Sequence, residues 1–479
     1  MDMNEVIADP VRIAAQKWPD DTAVISDNTS LTFSEYDVAI DSAVRFLLDK
    51  QVESEDIIAV LGRNSISVAV LFWAAYRLGV TLMPLNSLAS IRDWKDQLDH
   101  AGCNILFYES SFSEYSGILP QTHELQVTYK AKEHELNKKA YQFLSLPAVV
   151  QFTSGSTGKP RGVVLDWGNV FYSAQAANEA LEMSPDDTWL AVLPFYHIGG
   201  LSIMFRTVLS GSRMRVFRRF TPSEILKAVS EFDSPVISVV PTMLKMLMEH
   251  DTDNRLAGCK AIVLGGAALD EPLRKDILAR KLPVLTTYGM TETASMVSLL
   301  PLADKGVRLD TSGKTLAHAE IKSDARGRIL VRGQSLFAKY LQGERMTDSD
   351  GWFDTGDTGF IDDSGYLIIT GRDDRQIKSG GENIDLNRIE AVLLHHDAIA
   401  EAVVLSRDDD KWGQRPVAFI RTTDAEFNLD ELAKRIAAEL GKIHIPDVIE
   451  TIDEFPLTAV GKYDFPALRE RFAHLFTSK

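Results

Sequence analysis

Short apolar segments alternate with amphipathic segments through the first half of the chain. Thr32 and Glu35 have the spacing of a capping box, and the apolar residues after them recur at offsets of three and four, which predicts a helix. Residues 57–61 form a continuous apolar run that is typical of a buried strand. A helical pattern over residues 65–78 and another apolar segment over residues 80–84 follow. This order predicts a strand, a helix and a second strand.

The same alternation returns farther along the chain. Apolar runs, each next to a plausible helix, predict strands over residues 189–193, 236–240, 261–264 and 283–287. Fully apolar strands separated by helices indicate parallel sheets that are covered on both faces. After residue 300 the pattern changes to short strands closed by glycine-containing turns, as in residues 328–332 and 366–370. A small β-rich unit is therefore expected there.

The last hundred residues predict a separate module. Its predicted helices and strands occupy residues 388–395, 402–405, 417–421 and 429–440. We therefore predict an α/β fold class with two domains. The N-terminal domain, residues 1–372, would hold two parallel-sheet α/β subdomains and a small β-barrel-like subdomain. Residues 373–479 would form a small α+β C-terminal domain.

Composition and charge narrow the function classes. Hydrophobic residues make up 45% and charged residues 25% of the 479 residues, which is ordinary for a globular protein. Because 68 acidic residues oppose 51 basic ones, the formal charge is −17 and a nucleic acid would be repelled overall. The two cysteines, Cys103 and Cys259, lack the spacing of a disulfide framework or a cysteine-based zinc site.

The chain carries no pattern of a membrane or repeat protein. Its first residues lack the basic start and apolar core of a signal peptide, and the longest apolar run, residues 68–76, ends at Arg77. No period of 20 to 50 residues recurs. We expect a cytoplasmic protein without a membrane span, and the sequence leaves its oligomeric state open.

A dense cluster of hydroxyl residues, glycines and a lysine follows the apolar run at residues 149–152. The cluster consists of Thr153, Ser154, Gly155, Ser156, Thr157, Gly158 and Lys159. Backbone N–H groups and hydroxyls in such a loop can converge on phosphate oxygens, and the lysine adds a point charge. Pro160 stands where a Walker A loop has its Ser or Thr, so an ordinary P-loop is excluded. The structural alternative is a flexible turn.

The segment TSGSTGKPRG, residues 153–162, resembles the signature loop of the acyl-adenylate-forming (ANL) enzymes, which include acyl-CoA synthetases, luciferases and peptide-synthetase adenylation domains. Four more motifs resemble that family in its order: YGMTET at 288–293, GWFDTGD at 351–357, GRDD at 371–374 and PLTAVGK at 456–462. The resemblance covers nearly the whole chain. It implies an AMP-forming acid–thiol ligase that uses ATP, Mg²⁺ and CoA, with a carboxylic acid as its other small-molecule partner.

The resemblance also implies individual roles. Lys462, His197, Thr291 and Arg372 would be catalytic, and Glu292 would hold the metal ion through an oxygen ligand. Besides the phosphate loop, the implied nucleotide- and CoA-binding residues are Gly265, Gly266, Ala267, Tyr288, Gly289, Met290, Thr291, Glu292, Asp357, Arg372, Gly380 and Gly381. An ionised aspartate such as Asp357 is an acceptor suited to ribose hydroxyls. For Gly265 and Gly266, an ordinary strand-end turn is the alternative.

The family uses a mobile C-terminal domain to run its two half-reactions, and its hinge resembles Asp374 here. Closure about such a hinge is a common switching device. In the second pose Gly380 and Gly381 would help form the tunnel for the pantetheine arm of CoA. The chain departs from the family pattern at residues 384–386, where Ile-Asp-Leu replaces an aromatic residue and a proline.

The segment LPFYHIGGL, residues 193–201, resembles the family segment that borders the acyl pocket. The implied substrate residues are His197, Gly199, Leu201, Arg206 and Gly265. Arg206 lies in an apolar helix, and because charges are seldom buried unpaired, it suggests a second carboxylate on the substrate. The alternative is a guanidinium that reaches solvent or pairs with a structural acid.

Residues 193–211 and 238–244 resemble the subfamily that activates 2-succinylbenzoate in menaquinone biosynthesis. A ligase for fatty or aryl acids is the alternative substrate class. A luciferase-like oxygenase and a nucleotide-binding homologue without catalysis are alternatives of other classes. Retention of Lys462, Glu292 and the phosphate loop argues against the last of these.

Overall fold

The computed structural model describes residues 5–27, 29–128, 141–153, 161–341, 343, 346–372, 375–379, 382–396, 398–409, 412–423, 429–458 and 463–476. Its strands are β1 (Val6–Ala8), β2 (Thr22–Ser26), β3 (Thr29–Thr32), β4 (Ile57–Leu61), β5 (Thr81–Leu85), β6 (Ile105–Tyr108), β7 (Gln121–Glu124), β8 (Tyr141–Phe143), β9 (Pro147–Thr153), β10 (Arg161–Asp166), β11 (Thr188–Ala191), β12 (Arg213–Val216), β13 (Pro235–Val239), β14 (Ala261–Leu264), β15 (Val284–Met290), β16 (Ser295–Leu299), β17 (Lys314–Thr315), β18 (Ala319–Ser323), β19 (Arg328–Gly333), β20 (Lys339–Tyr340), β21 (Phe353–Ile361), β22 (Leu367–Arg372), β23 (Gln376–Ser379), β24 (Glu382–Asp385), β25 (Ile399–Asp409), β26 (Gly413–Thr422) and β27 (Val448–Thr451).

The α-helices connect these strands. They are α1 (Pro10–Lys17), α2 (Phe33–Asp49), α3 (Ile66–Leu78), α4 (Ile91–Ala101), α5 (Trp167–Ala180), α6 (Ile198–Ser210), α7 (Pro222–Glu231), α8 (Pro241–His250), α9 (Glu271–Arg280), α10 (Leu386–Leu394), α11 (Leu429–Leu440) and α12 (Phe465–Arg471). Local chemistry sets several of their ends. The Thr32 hydroxyl accepts from Glu35 N at 3.2 Å, and Glu35 Oε2 accepts from Thr32 N at 2.9 Å, so the predicted capping box begins α2.

Two large sheets form the framework of the N-terminal part. One has the strand order β20-β10-β9-β5-β4-β6-β7, and the other has the order β17-β16-β15-β14-β13-β11-β12-β2-β3. Their central strands are parallel, as in the pairing of Ile57–Leu61 with Thr81–Leu85 in residue-for-residue register. Antiparallel strands form three of the four sheet edges, at β20, β17 and β3, whereas β7 runs parallel to β6 at the fourth. Helices between the parallel strands cover the faces that the apolar runs require to be buried.

One apolar core serves both large sheets. Helix α3 is buried on nearly every side, and its Phe72 lies 5.5 Å from the ring of Trp167 in α5 and 5.8 Å from Phe205 in α6. Trp73 packs against Phe205 at 4.7 Å between ring centroids. A helix that is apolar all round belongs inside a large core. The apolar run at residues 68–76 is thus explained by packing in the core.

The smaller sheets lie in the second half of the chain. One has the order β18-β19-β21-β22, and another joins β24, β23, β26 and β25, with β27 beside β26. Helices α10 and α11 cover one face of the latter sheet through a separate apolar core that includes Ile389, Leu393, Leu432 and Ile436. A further cluster around Phe419 and Leu468 covers the other face.

The chain forms two compact units. The larger comprises residues 1–322, 330–354 and 361–368, and the smaller comprises residues 323–329, 355–360 and 369–479. The predicted fold class is confirmed, with two mainly parallel sheets, a curled antiparallel sheet and a small C-terminal α+β module. The predicted domain boundary between residues 372 and 373 stays a prediction. Among the described residues, no helix is both long and apolar enough to cross a lipid bilayer.

A buried ion-pair network anchors α1, α2 and α3. Arg77 donates from Nε to Asp9 Oδ2 at 2.7 Å and from Nη1 to Asp41 Oδ1 at 2.6 Å, and it also pairs with Asp37. The side chains of Arg77 and Asp9 are only 5% and 2% exposed. Asp9 in addition caps α1 by accepting from Val11 N. Arg12 also belongs to the network, but its Nε lies 3.7 Å from Asp9 Oδ2, farther than Arg77 does. Removing Arg77 would therefore leave Asp9 buried with only this longer ion pair.

We predict that Arg77→Met destabilises the larger unit by about 3 kcal/mol, because the buried Asp9 would lose its hydrogen-bonded cation and keep only the longer ion pair with Arg12. Chemical denaturation followed by tryptophan fluorescence measures the loss. Arg92→Met is the control, since Arg92 pairs with Asp96 at 4.0 Å with both side chains mostly exposed, and it should leave stability unchanged. Equal effects of the two substitutions would contradict the energetic role of the Arg77 network.

Candidate active site

Four adjacent parallel strands bring predicted site residues to one edge of the nine-stranded sheet. β11, β13, β14 and β15 are neighbours and run parallel, so their carboxyl ends meet at the same edge. His197 follows β11, Gly265 follows β14, and Thr291 follows β15. The carboxyl edge of an open parallel sheet is where ligands usually bind in α/β proteins. The topology therefore brings three separate predicted segments to one place.

The turn after β14 is open and sterically restricted to small residues. Gly265 N donates to Val239 O at 3.2 Å, and a Cβ at Gly265 would lie 2.7 Å from Thr287 Cγ2. Gly266 has a φ of +83°, which favours glycine, and both Gly266 and Ala267 are exposed. Tyr288, which is half-buried, lies on the adjacent strand β15. Adenine binding by this surface stays a prediction.

The segment from Gly289 to Ser295 folds into a tight hairpin. A Cβ at Gly289 would lie 2.0 Å from Ser295 O, so the chain can close here only with glycine. The Thr293 hydroxyl accepts from Met290 N at 3.0 Å and donates to Ser295 O at 2.7 Å. This hairpin presents Thr291 and Glu292, which are both half-buried.

The hairpin contains strained backbone. Ala294 and Ser295 have φ values of +50° and +100°, although neither is a glycine. Such conformations cost on the order of 1 to 3 kcal/mol each and persist where the surroundings fix them. Here the Ser173 hydroxyl of α5 donates to Ala294 O at 2.8 Å, and both residues are fully buried. The strain lies directly after the predicted metal ligand.

Glu292 is held through both its main chain and its side chain. Phe337 N donates to Glu292 O at 2.7 Å, and the Tyr340 hydroxyl donates to Glu292 Oε1 at 3.1 Å. Burial and the neighbouring Glu292 carboxylate raise the pKa of Tyr340, so its hydroxyl keeps the donated proton. Sequence reasoning did not find Phe337, Tyr340 or Ser173, because each is far from the YGMTET motif along the chain.

The residues around Glu292 fit a magnesium ion. The described residues contain no group of three His, Cys, Asp or Glu side chains that could enclose a metal ion. Magnesium does not need such a group, because it keeps several waters and takes one or two carboxylates together with substrate phosphates. The Glu292 carboxylate, held by the Tyr340 hydroxyl, could supply one such oxygen ligand.

The predicted acyl-pocket segment surrounds the start of α6. His197 is the N-cap of α6, and its ring lies 4.8 Å from that of Tyr196. A buried asparagine that the sequence did not reveal supports this loop: Asn64 Nδ2 donates to Leu193 O, and Asn64 Oδ1 accepts from Phe195 N, both at 2.8 Å. Such double hydrogen bonding fixes a loop that has no strand partner.

The glycines at the start of α6 differ in their packing. A Cβ at Gly200 would lie 2.3 Å from Pro194 O, whereas one at Gly199 would meet only the Leu193 side chain at 3.2 Å. Close packing therefore requires glycine at position 200, and Gly199 tolerates more. Leu201 is buried in the core.

Arg206 is buried in the middle of the larger unit. Only 1% of it is exposed, its Nη2 donates to Ser295 Oγ at 3.1 Å, and its guanidinium lies 5.1 Å from the Trp189 ring centroid. Burial lowers the pKa of Arg206 to about 9, which leaves it charged at neutral pH. Within the described ranges no carboxylate pairs with it. Along α6, Arg206 lies about 13 Å from His197 at 1.5 Å per residue.

His318 is a buried titratable residue near Arg206 that the sequence did not indicate. Burial, followed by the Arg206 charge, lowers the pKa of His318 to about 4, so the imidazole is neutral at neutral pH. It lines a cavity of about 530 Å³ together with Asn169, Glu320 and Arg332, among others. No predicted site residue lines this cavity.

Two predicted nucleotide-binding residues meet in the smaller unit. Arg372 Nη1 donates to Asp357 Oδ1 at 3.0 Å, and Asp357 is only 6% exposed whereas the Arg372 side chain is 45% exposed. Gly356 precedes Asp357 with a φ of +72°, and a Cβ there would lie 3.3 Å from Arg372 Nη2. The structure thus brings the TGD and GRDD motifs together.

Several predicted site residues lie outside the described residues. They are Ser154, Gly155, Ser156, Thr157, Gly158, Lys159, Asp374, Gly380, Gly381 and Lys462. The strands on either side of the phosphate loop are described: Thr153 ends β9 and pairs with Arg161 at the start of β10. The loop therefore connects two antiparallel neighbours.

Comparisons with known proteins agree with this architecture. The model of the AMP-binding enzyme family matches residues 11–341, and that of the AMP-binding enzyme C-terminal domain matches residues 388–462. The 2-succinylbenzoate–CoA ligase of Listeria monocytogenes serovar 1/2a is 34% identical over 456 residues, which are 95% of this chain and 97% of that protein. That of Bacillus subtilis is 33% identical over 462 residues, 94% of each chain.

The solved structures of a relative cover the whole architecture. The o-succinylbenzoate CoA synthetase of Bacillus subtilis in complex with the acyl-adenylate intermediate OSB-AMP has a TM-score of 0.87 at 32% identity, covering 97% of this chain and 98% of that one. The same enzyme in complex with ATP and magnesium ion has a TM-score of 0.86, covering 96% and 98%. The chain belongs to the AMP-binding enzyme family and is an AMP-forming acyl-CoA ligase.

Proposed function

We propose that this ligase converts ATP, CoA and 2-succinylbenzoate to AMP, pyrophosphate and 2-succinylbenzoyl-CoA, a step of menaquinone biosynthesis carried out in the cytoplasm. The observation that carries the proposal is similarity along nearly the whole chain to ligases of that substrate, at 34% identity over 95% of its length. A relative that is 32% identical was solved with the OSB-adenylate bound. The proposed partners are small molecules: the acid, ATP and CoA.

The proposed reaction has two steps. A carboxylate oxygen attacks the α-phosphorus of ATP, the bond to the β-phosphate oxygen breaks, and pyrophosphate leaves. The CoA sulfur then attacks the acyl carbonyl as a thiolate, and AMP leaves with the electron pair of the cleaved C–O bond. The first step brings two anions together, so cations must offset their repulsion. Lys159, Lys462 and a magnesium ion held by Glu292 would do so.

The nucleotide would be recognised by residues at the sheet edge and in the smaller unit. Gly265, Gly266 and Ala267 would let the adenine approach the backbone beside Tyr288. Asp357 and Arg372 would bind the ribose or the α-phosphate, and their hydrogen bond at 3.0 Å supports a shared role. Thr291, Met290 and Gly289 would border the phosphates, and Gly380 and Gly381 would contact CoA after rotation about Asp374.

Arg206 is the proposed recognition element for the second carboxylate of the substrate. It does not reach solvent, and no described acid pairs with it, so the guanidinium retains the capacity for a bidentate bond. Its Nη2 donates to Ser295 Oγ at 3.1 Å, so the guanidinium lies at the end of the hairpin that carries Glu292. The start of α6, with His197, Gly199 and Leu201, would border the acyl chain, and Gly265 would approach its other side.

The alternative is a ligase for fatty or aryl monocarboxylic acids. ATP–[³²P]pyrophosphate exchange over a panel of acids separates the two, because exchange reports adenylate formation without CoA. We expect 2-succinylbenzoate to give the highest kcat/KM, and mass spectrometry with CoA present to detect 2-succinylbenzoyl-CoA. Preference for octanoate or benzoate over 2-succinylbenzoate would select the alternative.

We predict that Lys462→Ala lowers the rate of adenylate formation at least about 100-fold, because the charge that stabilises the developing phosphate oxygens is lost. Thioester formation from supplied acyl-adenylate should stay within twofold of wild type. Lys434→Ala, an exposed lysine of α11, is the matched control and should change neither step. Equal losses in both half-reactions would argue against the assignment of Lys462 to the first step.

We predict that Arg206→Met raises the KM for 2-succinylbenzoate about 10-fold or more, because a charge-assisted hydrogen bond contributes about 1.5 to 3 kcal/mol. The KM for 4-oxo-4-phenylbutanoate, which lacks the ring carboxylate, should stay unchanged. Steady-state kinetics on both acids with the same folded variant checks this split. Equal rises for the two acids would show that Arg206 supports the fold and not the second carboxylate.

A further inference from the structure

The carboxylate of Glu292 receives a hydrogen bond from a residue outside its own motif. The Tyr340 hydroxyl donates to Glu292 Oε1 at 3.1 Å, across 48 residues of sequence. We propose that Tyr340 is a positioning residue that orients the Glu292 carboxylate toward the metal ion. This inference rests on the proposed function of Glu292 as the metal ligand.

The Tyr340 hydroxyl is well placed to act as a fixed donor. The residue is 7% exposed, and its ring packs against Phe337 with 4.7 Å between centroids. The guanidinium carbon of Arg161 lies 5.7 Å from the centroid of the Tyr340 ring. A buried phenol needs a partner for its hydroxyl, and the carboxylate provides it. Packing therefore fixes the ring, and the ring fixes the donor.

The same short segment also holds the main chain of Glu292. Phe337 N donates to Glu292 O at 2.7 Å, and Tyr340 pairs with Val163 of β10. β10 begins at Arg161, directly after the phosphate loop. Residues 337–340 thus connect the predicted metal ligand to the strand that leaves the predicted phosphate loop. If Glu292 holds a metal ion that offsets the charge of the ATP phosphates, these two elements would have to keep a fixed relation.

Hydrogen bonds within and around the hairpin fix the backbone on the C-terminal side of Glu292. Ser173 donates to Ala294 O at 2.8 Å, and the Thr293 hydroxyl donates to Ser295 O at 2.7 Å. These bonds set the backbone, but they leave the three side-chain torsions of the glutamate unset. The Tyr340 bond restricts those torsions before a metal ion binds, which lowers the entropy cost of ordering them. Its loss should therefore appear in metal affinity.

Tyr340→Phe tests the inference, because it removes the hydroxyl and keeps the ring. Tyr366→Phe is a matched control: Tyr366 is also 7% exposed and donates to a carboxylate, Asp304 Oδ2, at 2.5 Å, outside every predicted site segment. Calorimetry measures ATP binding with and without Mg²⁺, and pyrophosphate exchange measures the Mg²⁺ concentration for half-maximal rate.

We expect Tyr340→Phe to raise that Mg²⁺ concentration about 10- to 100-fold, the usual effect of losing a partner of a metal ligand. Its ATP affinity without Mg²⁺ and its thioester formation from supplied acyl-adenylate should match wild type. Folded Tyr366→Phe should match wild type in these two measurements and in its Mg²⁺ dependence. An unchanged Mg²⁺ dependence of folded Tyr340→Phe would overturn the inference, as would an equal shift in Tyr366→Phe. If none of the acids supports pyrophosphate exchange by wild type, the proposed function fails. Calorimetry of ATP and Mg²⁺ binding then still decides the role of Tyr340.

Discussion

The shared core between the two large sheets is the constraint on which the rest of the larger unit depends. Parallel strands bury both faces, so each sheet needs helices on both sides, and α3 is buried on nearly every side within this core. Phe72 contacts Trp167, the first residue of α5, and both Phe72 and Trp73 contact Phe205 of α6. These contacts fix α5 and α6 together, and both helices carry residues that reach the site.

This packing explains how buried helices position the half-buried turn at Thr291 and Glu292. Ser173 and Arg206 lie on α5 and α6 and donate to Ala294 and to the Ser295 side chain, respectively. The strained hairpin is therefore held from the core side by two helices whose own places are set by aromatic packing. The position of Glu292 in that hairpin therefore depends on the packing of the core.

Much of the framework follows from local sequence signals. The strand at Ala261–Leu264 and the helix at Leu429–Leu440 have the predicted bounds, because a continuous apolar run and a strong helical period each end at their limits. The helix predicted from residue 388 begins at Leu386, since Asp385 accepts from Asn387 N and caps it earlier. The strands predicted over residues 402–405 and 417–421 are longer, because their ladder continues through polar residues that periodicity does not register.

The site was less accessible to sequence reasoning than the framework. The motifs identified Glu292 through resemblance, but its supports are separated from it by long stretches of chain: 48 residues for Tyr340, and 121 residues between Ser173 and Ala294. A tyrosine and a serine in apolar surroundings have no local pattern that distinguishes a hydrogen-bonding role from simple packing. The pairing of β20 with β10 and the hydrogen bond from Phe337 N to Glu292 O bring Tyr340 to the hairpin.

Burial of the Arg206 guanidinium costs free energy, and packing alone does not explain why an arginine occupies this position. A buried guanidinium loses its hydration, and one bond to Ser295 Oγ with a ring contact to Trp189 offsets only part of that loss. An apolar side chain of similar volume would stabilise the core more, so folding does not account for an arginine here. Burial, followed by the Arg206 charge, lowers the pKa of His318 and keeps it neutral, which prevents a second buried cation. A substrate carboxylate would supply the missing counter-charge. Such an ion pair would account both for the proposed dicarboxylate specificity and for the presence of a buried arginine at position 206.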